Sequence, residues 1–183
     1  MTWVDEDRRL AIIAAEELEN YLDSTQLLWR LDSKVGTLTP GNLLLSIKRI
    51  NATDAFQTDL DYQAAVLRLD EIIKRRRASW EKKITLEIPY RIRLWKNSID
   101  EILEEAFIDH SITSQVRNRV IIEILLDEVR TIDPRLMIQI DKADNMLKKI
   151  GTNGPFLWDS ALETCFEKDK FWFLYLAKGE VNK

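Results

Sequence analysis

One cysteine, one histidine, four prolines and five glycines are all that the 183 residues contain of those types. A lone thiol, Cys165, rules out an internal disulfide. A lone imidazole, His110, rules out any site that needs two histidines. So few glycines and prolines exclude a sheet protein with a turn every ten residues or so, and point to long helices with few connections. Long apolar runs are missing as well: Val120 to Ile122 is cut off by Glu123, and even Phe171 to Ala177, the longest, is short against the roughly 20 residues a membrane-spanning helix needs. No membrane partner is therefore expected. Asp5, Glu6 and Asp7 stand where a secretory leader would carry basic and then apolar residues, and with the single thiol this predicts a cytoplasmic location. The net charge of −4 favours no class of partner.

What is present is enough to fill a core. Hydrophobic residues make up 45% of the chain and charged ones 32%, unlike the charge-rich, aromatic-poor profile of disorder. Apolar residues recur at helical spacing. Thr2 with Asp5 reads as a capping box for a first helix through Leu10, Ile13, Ala14, Leu18, Tyr21, Leu22, Leu28 and Trp29, to about Leu31. Thr39-Pro40-Gly41-Asn42 starts a second, with Thr39 as N-cap. Thr58 with Asp61 opens a third stretch of about 50 residues, whose stripe runs through Leu69, Ile73, Trp80, Ile84, Ile88, Ile92, Trp95, Ile99, Leu103 and Ala106. Pro89 predicts a kink or break inside it, and Asp109-His110-Ser111 its end.

A fourth helix, about Thr113 to Arg130, is apolar on most sides and so central. Asp133-Pro134 caps a fifth, which ends at Gly151. The expected fold is all-α, an elongated bundle of five to six helices with one long helix kinked near Pro89. It forms a single domain over residues 1–183, with 151–183 as a C-terminal arm packed on the bundle. An irregular course is favoured for 156–177, because Phe171 to Tyr175 has no polar face. The long helix outruns the chain available to cover it, which predicts a protein partner or a two-fold dimer burying the exposed part of its stripe.

Enzyme chemistry finds little support. There is no Gly-rich phosphate loop, nucleophile elbow or zinc-spaced Cys/His set. Asp109, His110 and Ser111 are consecutive and point in different directions, whereas a triad converges in space; His110 reads as a residue near a helix C-terminus. Cys165, between Leu162 and Phe166, reads as a small core residue. Glu101, Glu104, Glu105 and Asp109 cluster at helical spacing, yet a di-metal bundle site needs Glu-x-x-His pairs, and Phe107 precedes His110 by three. These acids read as a solvated face. No catalytic residue, metal or cofactor is expected.

Two binding features remain. Lys74, Arg75, Arg76, Arg77, Lys82, Lys83, Arg91, Arg93 and Lys96 face only Glu81 and Glu87 within their own stretch, so it carries +7 and the remainder −11. With Trp80, Tyr90 and Trp95 interleaved, residues 74–96 fit a nucleic-acid surface. The plainer reading is a solvated face, with Trp80 and Trp95 on the apolar stripe and Asp70–Lys74 and Glu71–Arg75 as i,i+4 pairs. At the second helix start, the backbone N–H groups of Gly41 and Asn42 beside Thr39, with Arg30, Lys34 and Lys48 near in sequence, would suit a small anion; most such starts are only caps. The six tryptophans read as core filling rather than a ligand cage. The expected function is a non-catalytic helical interaction or scaffold module. Nucleic-acid binding through 74–96 is the first alternative, and anion binding at 39–42 the second.

Overall fold

A computed structural model describes residues 2–32, 35–53, 58–104 and 109–178, with the side chains of 103, 104, 109–111 and 178 outside the described set. Six α-helices dominate: α1 (Trp3–Asp23), α2 (Pro40–Asn51), α3 (Leu60–Arg75), α4 (Arg77–Glu104), α5 (Asp109–Glu128) and α6 (Pro134–Ile150). Two antiparallel pairs accompany them: β1 (Trp29–Arg30) with β2 (Thr37–Leu38), and β3 (Gly151–Asn153) with β4 (Leu176–Lys178). The chain packs as two compact units, residues 1–87 and 88–183. No helix of the described residues is long and apolar enough to cross a membrane.

In the first unit, α1 packs on both α2 and α3. Ala11, Ala14 and Ala15 on α1 are buried beside Leu10, Leu18 and Tyr21, small side chains that let neighbouring backbones approach. The capping box is present: the Thr2 hydroxyl accepts from the Asp5 N–H and the Asp5 carboxylate accepts from the Thr2 N–H. The Thr2 N–H, and after it the Thr2 hydroxyl donating to the same carboxylate at 2.9 Å, hold the Asp5 carboxyl below its usual range. Thr39 and Asp133 cap α2 and α6 at the expected positions, while α3 is capped by Asp59, one residue beyond the expected Thr58.

Helix α1 ends at Asp23 rather than near Leu31. Ser24 closes it, its N–H donating to the carbonyls of Asn20 and Tyr21 and its hydroxyl to that of Tyr21. Beyond it the buried Lys83 ammonium draws the chain aside, donating to the Ser24 carbonyl at 2.9 Å and the Gln26 carbonyl at 2.5 Å and lying 4.2 Å above the Tyr21 ring. A tertiary partner thus overrides the helical spacing of Leu28 and Trp29, which instead lead into β1. Gly36, at φ +91°, supplies the left-handed turn before β2.

The 50-residue helix expected from Thr58 is two helices. The interruption falls at Arg76, in a non-helical conformation, amid four consecutive cations each held by a different acid. Helix α4 then continues through Pro89, although the proline has no N–H to offer the Thr85 carbonyl. Its stripe is covered: Trp80, Ile84, Ile88, Ile92, Trp95 and Ile99 are all buried. The apolar surface on which the sequence-based dimer relied is therefore absent at those positions; Ala106 and the side chain of Leu103 lie outside the described residues. Asp109 and His110 belong to the backbone of the opening turn of α5, not to the end of the preceding helix.

In the second unit, α5 buries Val120, Ile121, Ile122, Ile124 and Leu125, as its all-round apolar pattern requires. The interior is pinned by one charged network. Arg119 Nε donates to both carboxylate oxygens of Asp144 at 3.1 and 3.0 Å, its Nη1 to Glu123 at 2.7 Å, and its guanidinium lies 4.7 Å above Phe173. The Trp95 indole donates to Asp144 at 3.0 Å. Burial raises the Asp144 carboxyl above its usual value, against the opposing pull of Arg119.

The stretch from 156 to 177 is irregular, as its aromatic content predicts. It forms 3₁₀ turns at Ser160–Cys165 and Trp172–Leu174, with Phe166 packed edge-on against Trp158 and Phe171. Its end returns as β4 to pair with β3. Gly151 closes α6 in extended backbone (φ −98°) and begins β3, so the helix ends by strand pairing and not through a left-handed glycine. Gly154 is required by closeness: a Cβ there would lie 2.7 Å from the Ala177 Cβ.

Candidate functional site

Among the described residues Leu28, Leu86, Ile138 and Met146 are exposed apolar side chains, but the two most exposed, Leu60 and Leu67, share the outer face of α3. Tyr62, Ala65, Leu69 and Ile72 turn inward and are buried. At 100° per residue, Leu60, Ala64 and Leu67 fall on the opposite side; Leu60 is 77% exposed, Leu67 67%, and Ala64 is exposed too. Scattered exposed leucines are ordinary. These two are stacked two turns apart, and Leu67 also edges an open cleft of about 650 Å³ between α2 and α3.

That cleft is lined by Ile50, Tyr62, Val66 and Leu67 with Asn51, Thr53 and Gln63. The Tyr62 hydroxyl donates to Asn51 at 3.4 Å. Burial, and secondarily the charge of Asp7, pushes the Tyr62 phenol up to about 12, so it stays neutral at any physiological pH and contributes a mostly apolar wall. The start of α3 is fixed by Asp59, which accepts from the Tyr62 N–H at 3.0 Å and from Arg8 at 2.5 and 3.1 Å. Arg8 beside it, then the backbone N–H, hold the Asp59 carboxyl below the usual carboxylate range.

The α2 start is a different matter. Thr39 is fully buried, and its hydroxyl donates to Glu87 Oε1 at 2.7 Å. The Gly41 N–H donates to Glu87 Oε2 at 2.8 Å, and the Asn42 N–H to the Thr39 hydroxyl at 3.1 Å. Anion-favouring backbone is present where the sequence places it, and a buried carboxylate of the same chain sits on it.

The basic segment is dispersed. Lys74 pairs with Asp70, Arg75 with Glu19, Arg76 with Asp23 and Arg77 with Glu81. Lys83 is buried on the carbonyls of Ser24 and Gln26, and its ammonium is pushed below the usual lysine value by burial. Arg91 is buried and donates to Asn118 at 3.0 Å. Lys82, Arg93 and Lys96 are exposed, without an acidic partner among the described residues. Trp80 and Trp95 are fully buried and present no ring to a base.

The remaining sequence candidates offer no converging chemistry. Cys165 is half-buried in a 3₁₀ turn. Glu101 is exposed and accepts from Gln115; Glu105, Ala106 and Phe107 lie outside the described residues, as do the side chains of Glu104, Asp109, His110 and Ser111. Among the described residues no group of three or more His, Cys, Asp or Glu is placed to hold a metal ion. Leu60 and Leu67 were missed in the sequence because attention follows the inward stripe; their seven-residue spacing, opposite Leu69 and Ile72, was the available signal. No protein-family model, curated protein or solved structure matches the chain.

Proposed function

We propose that the protein is a non-catalytic helical interaction module that recognises protein through the outer face of α3 and the adjoining α2–α3 cleft. The observation that carries this reading is the pair Leu60 and Leu67, which leave apolar surface in water beside an apolar-walled opening. Water-exposed apolar surface that is contiguous and rimmed by polar residues is the usual mark of a docking face. The interior charges support the same view. Arg119, Asp144, Lys83 and Glu87 all have partners inside the fold, as buried polar groups of a packed interior do.

The test is a photo-crosslinking amino acid placed at 67, with a control at exposed Lys82, in the cells that make the protein. A discrete protein adduct from 67 and none from 82 is expected. Equal or absent crosslinking at 67 removes the reading.

A further inference from the structure

Building on that docking face, we infer that its partner is a second copy of this chain, joined by antiparallel pairing of α3 with α3 about a two-fold axis through Ala64. In a two-fold contact each residue meets its counterpart's mirror position, so the face must complement itself. This one does. Leu60 and Leu67 lie on either side of Ala64, and antiparallel pairing sets Leu60 of one copy against Leu67 of the other. Ala64, small and exposed at the centre, lets the helix axes come close.

Charge supplies the independent argument. On one flank of the leucines stand Asp61 and Arg68, also seven apart. With the axis at Ala64, Asp61 comes within one residue's rise, about 1.5 Å, of level with Arg68 of the other copy, as Leu60 does with Leu67, twice per dimer. A parallel two-fold arrangement would set this flank against the other copy's opposite flank and form neither cross-pair. Both groups are exposed: Asp61, 85% exposed, makes one long ion pair with Arg8 of its own chain at 3.8 Å, and Arg68 has no ion pair among the described residues. The dimer expected from the sequence thus moves from the long helix, whose stripe is covered, to α3. A contact built on one 16-residue helix falls in the small interface class, so association in the micromolar range is expected.

Sedimentation equilibrium of the purified chain, from low micromolar to submillimolar concentration, tests this. The expected result is a monomer–dimer equilibrium that Leu60→Glu/Leu67→Glu abolishes while circular dichroism is unchanged. Asp61→Arg and Arg68→Asp should each weaken the dimer several-fold, and mixing these two single variants should restore wild-type affinity as a heterodimer, because both cross-pairs are then opposite in sign. A monomer at every concentration, a dimer indifferent to the leucine changes, or a mixture no tighter than its components overturns the inference. A monomeric chain that still crosslinks a different protein from position 67 overturns the self-pairing alone and leaves the docking reading standing.

Discussion

Two tryptophans show how the same residue type can be held in opposite ways. Both indoles are fully buried, but Trp95 donates to Asp144 whereas the Trp80 N–H has no acceptor among the described residues. A buried donor without a partner costs about 1–3 kcal/mol. Trp80→Phe removes that cost along with some packing, while Trp95→Phe leaves Asp144 short of a donor in a charged network. Urea unfolding should find Trp95→Phe the more damaging by about 1–3 kcal/mol; equal losses would mean that the two N–H groups are equally satisfied. Sequence periodicity assigns both residues to the core correctly, because burial follows spacing. It is blind to which N–H finds an acceptor, since Asp144 lies far along the chain. Likewise Glu87 is visible in the sequence only as one of two acids in a basic run. That its carboxylate seats on Gly41 and Thr39 follows from contacts between residues 46 and 48 positions apart.

At the scale of elements, the side-chain-capped starts of α1, α2 and α6 and the end of α6 at Gly151 were legible, while the end of α1 and the break between α3 and α4 were not. Thr2, Thr39 and Asp133 cap by bonds to residues two or three positions away, so the local sequence contains the whole motif. The end of α1 meets Lys83, and the break at Arg76 meets Glu19 and Asp23 of α1, none of which periodicity weighs. Asp59 combines both kinds of contact, as cap of α3 and partner of Arg8, and it makes α3 acid-sensitive. Its folded carboxyl lies below the ordinary value near 3.9, so the stability it contributes is present above pH about 4 and is lost as pH falls through the folded value. Asp59→Asn keeps an oxygen for the Tyr62 N–H but removes the charge. The wild type should be the more stable at pH 6, and the gap in urea midpoint should narrow progressively as pH falls below about 4. A gap that stays constant would show that Arg8 does not set the carboxyl's titration.

For the whole molecule, the fold class was legible and the exposed leucines of the proposed docking face were not. Low glycine and proline, with stripes at steps of three and four, lead to helices directly; an exposed leucine in a helix looks like any other until the inward face is known. The basic run is the converse case, conspicuous in sequence and largely neutralised in the fold by acids drawn from α1, α3 and α4. Only Lys82, Arg93 and Lys96 would remain to neutralise phosphates. Fluorescence anisotropy with random single- and double-stranded DNA and RNA at low salt should therefore show no binding, and reversing those three charges should change nothing. Tight, steeply salt-dependent binding lost on their reversal would favour the nucleic-acid alternative.

Trp80 belongs to the unit of residues 1–87 and Trp95 to that of 88–183, each sealed from solvent. Every fold-half accordingly contains its own internal lamp. Variants that keep one of the two indoles, with the other tryptophans changed to phenylalanine, would glow at short wavelength while their own half is intact and redden when it opens. Two such reporters would reveal whether denaturant melts the halves together or one before the other.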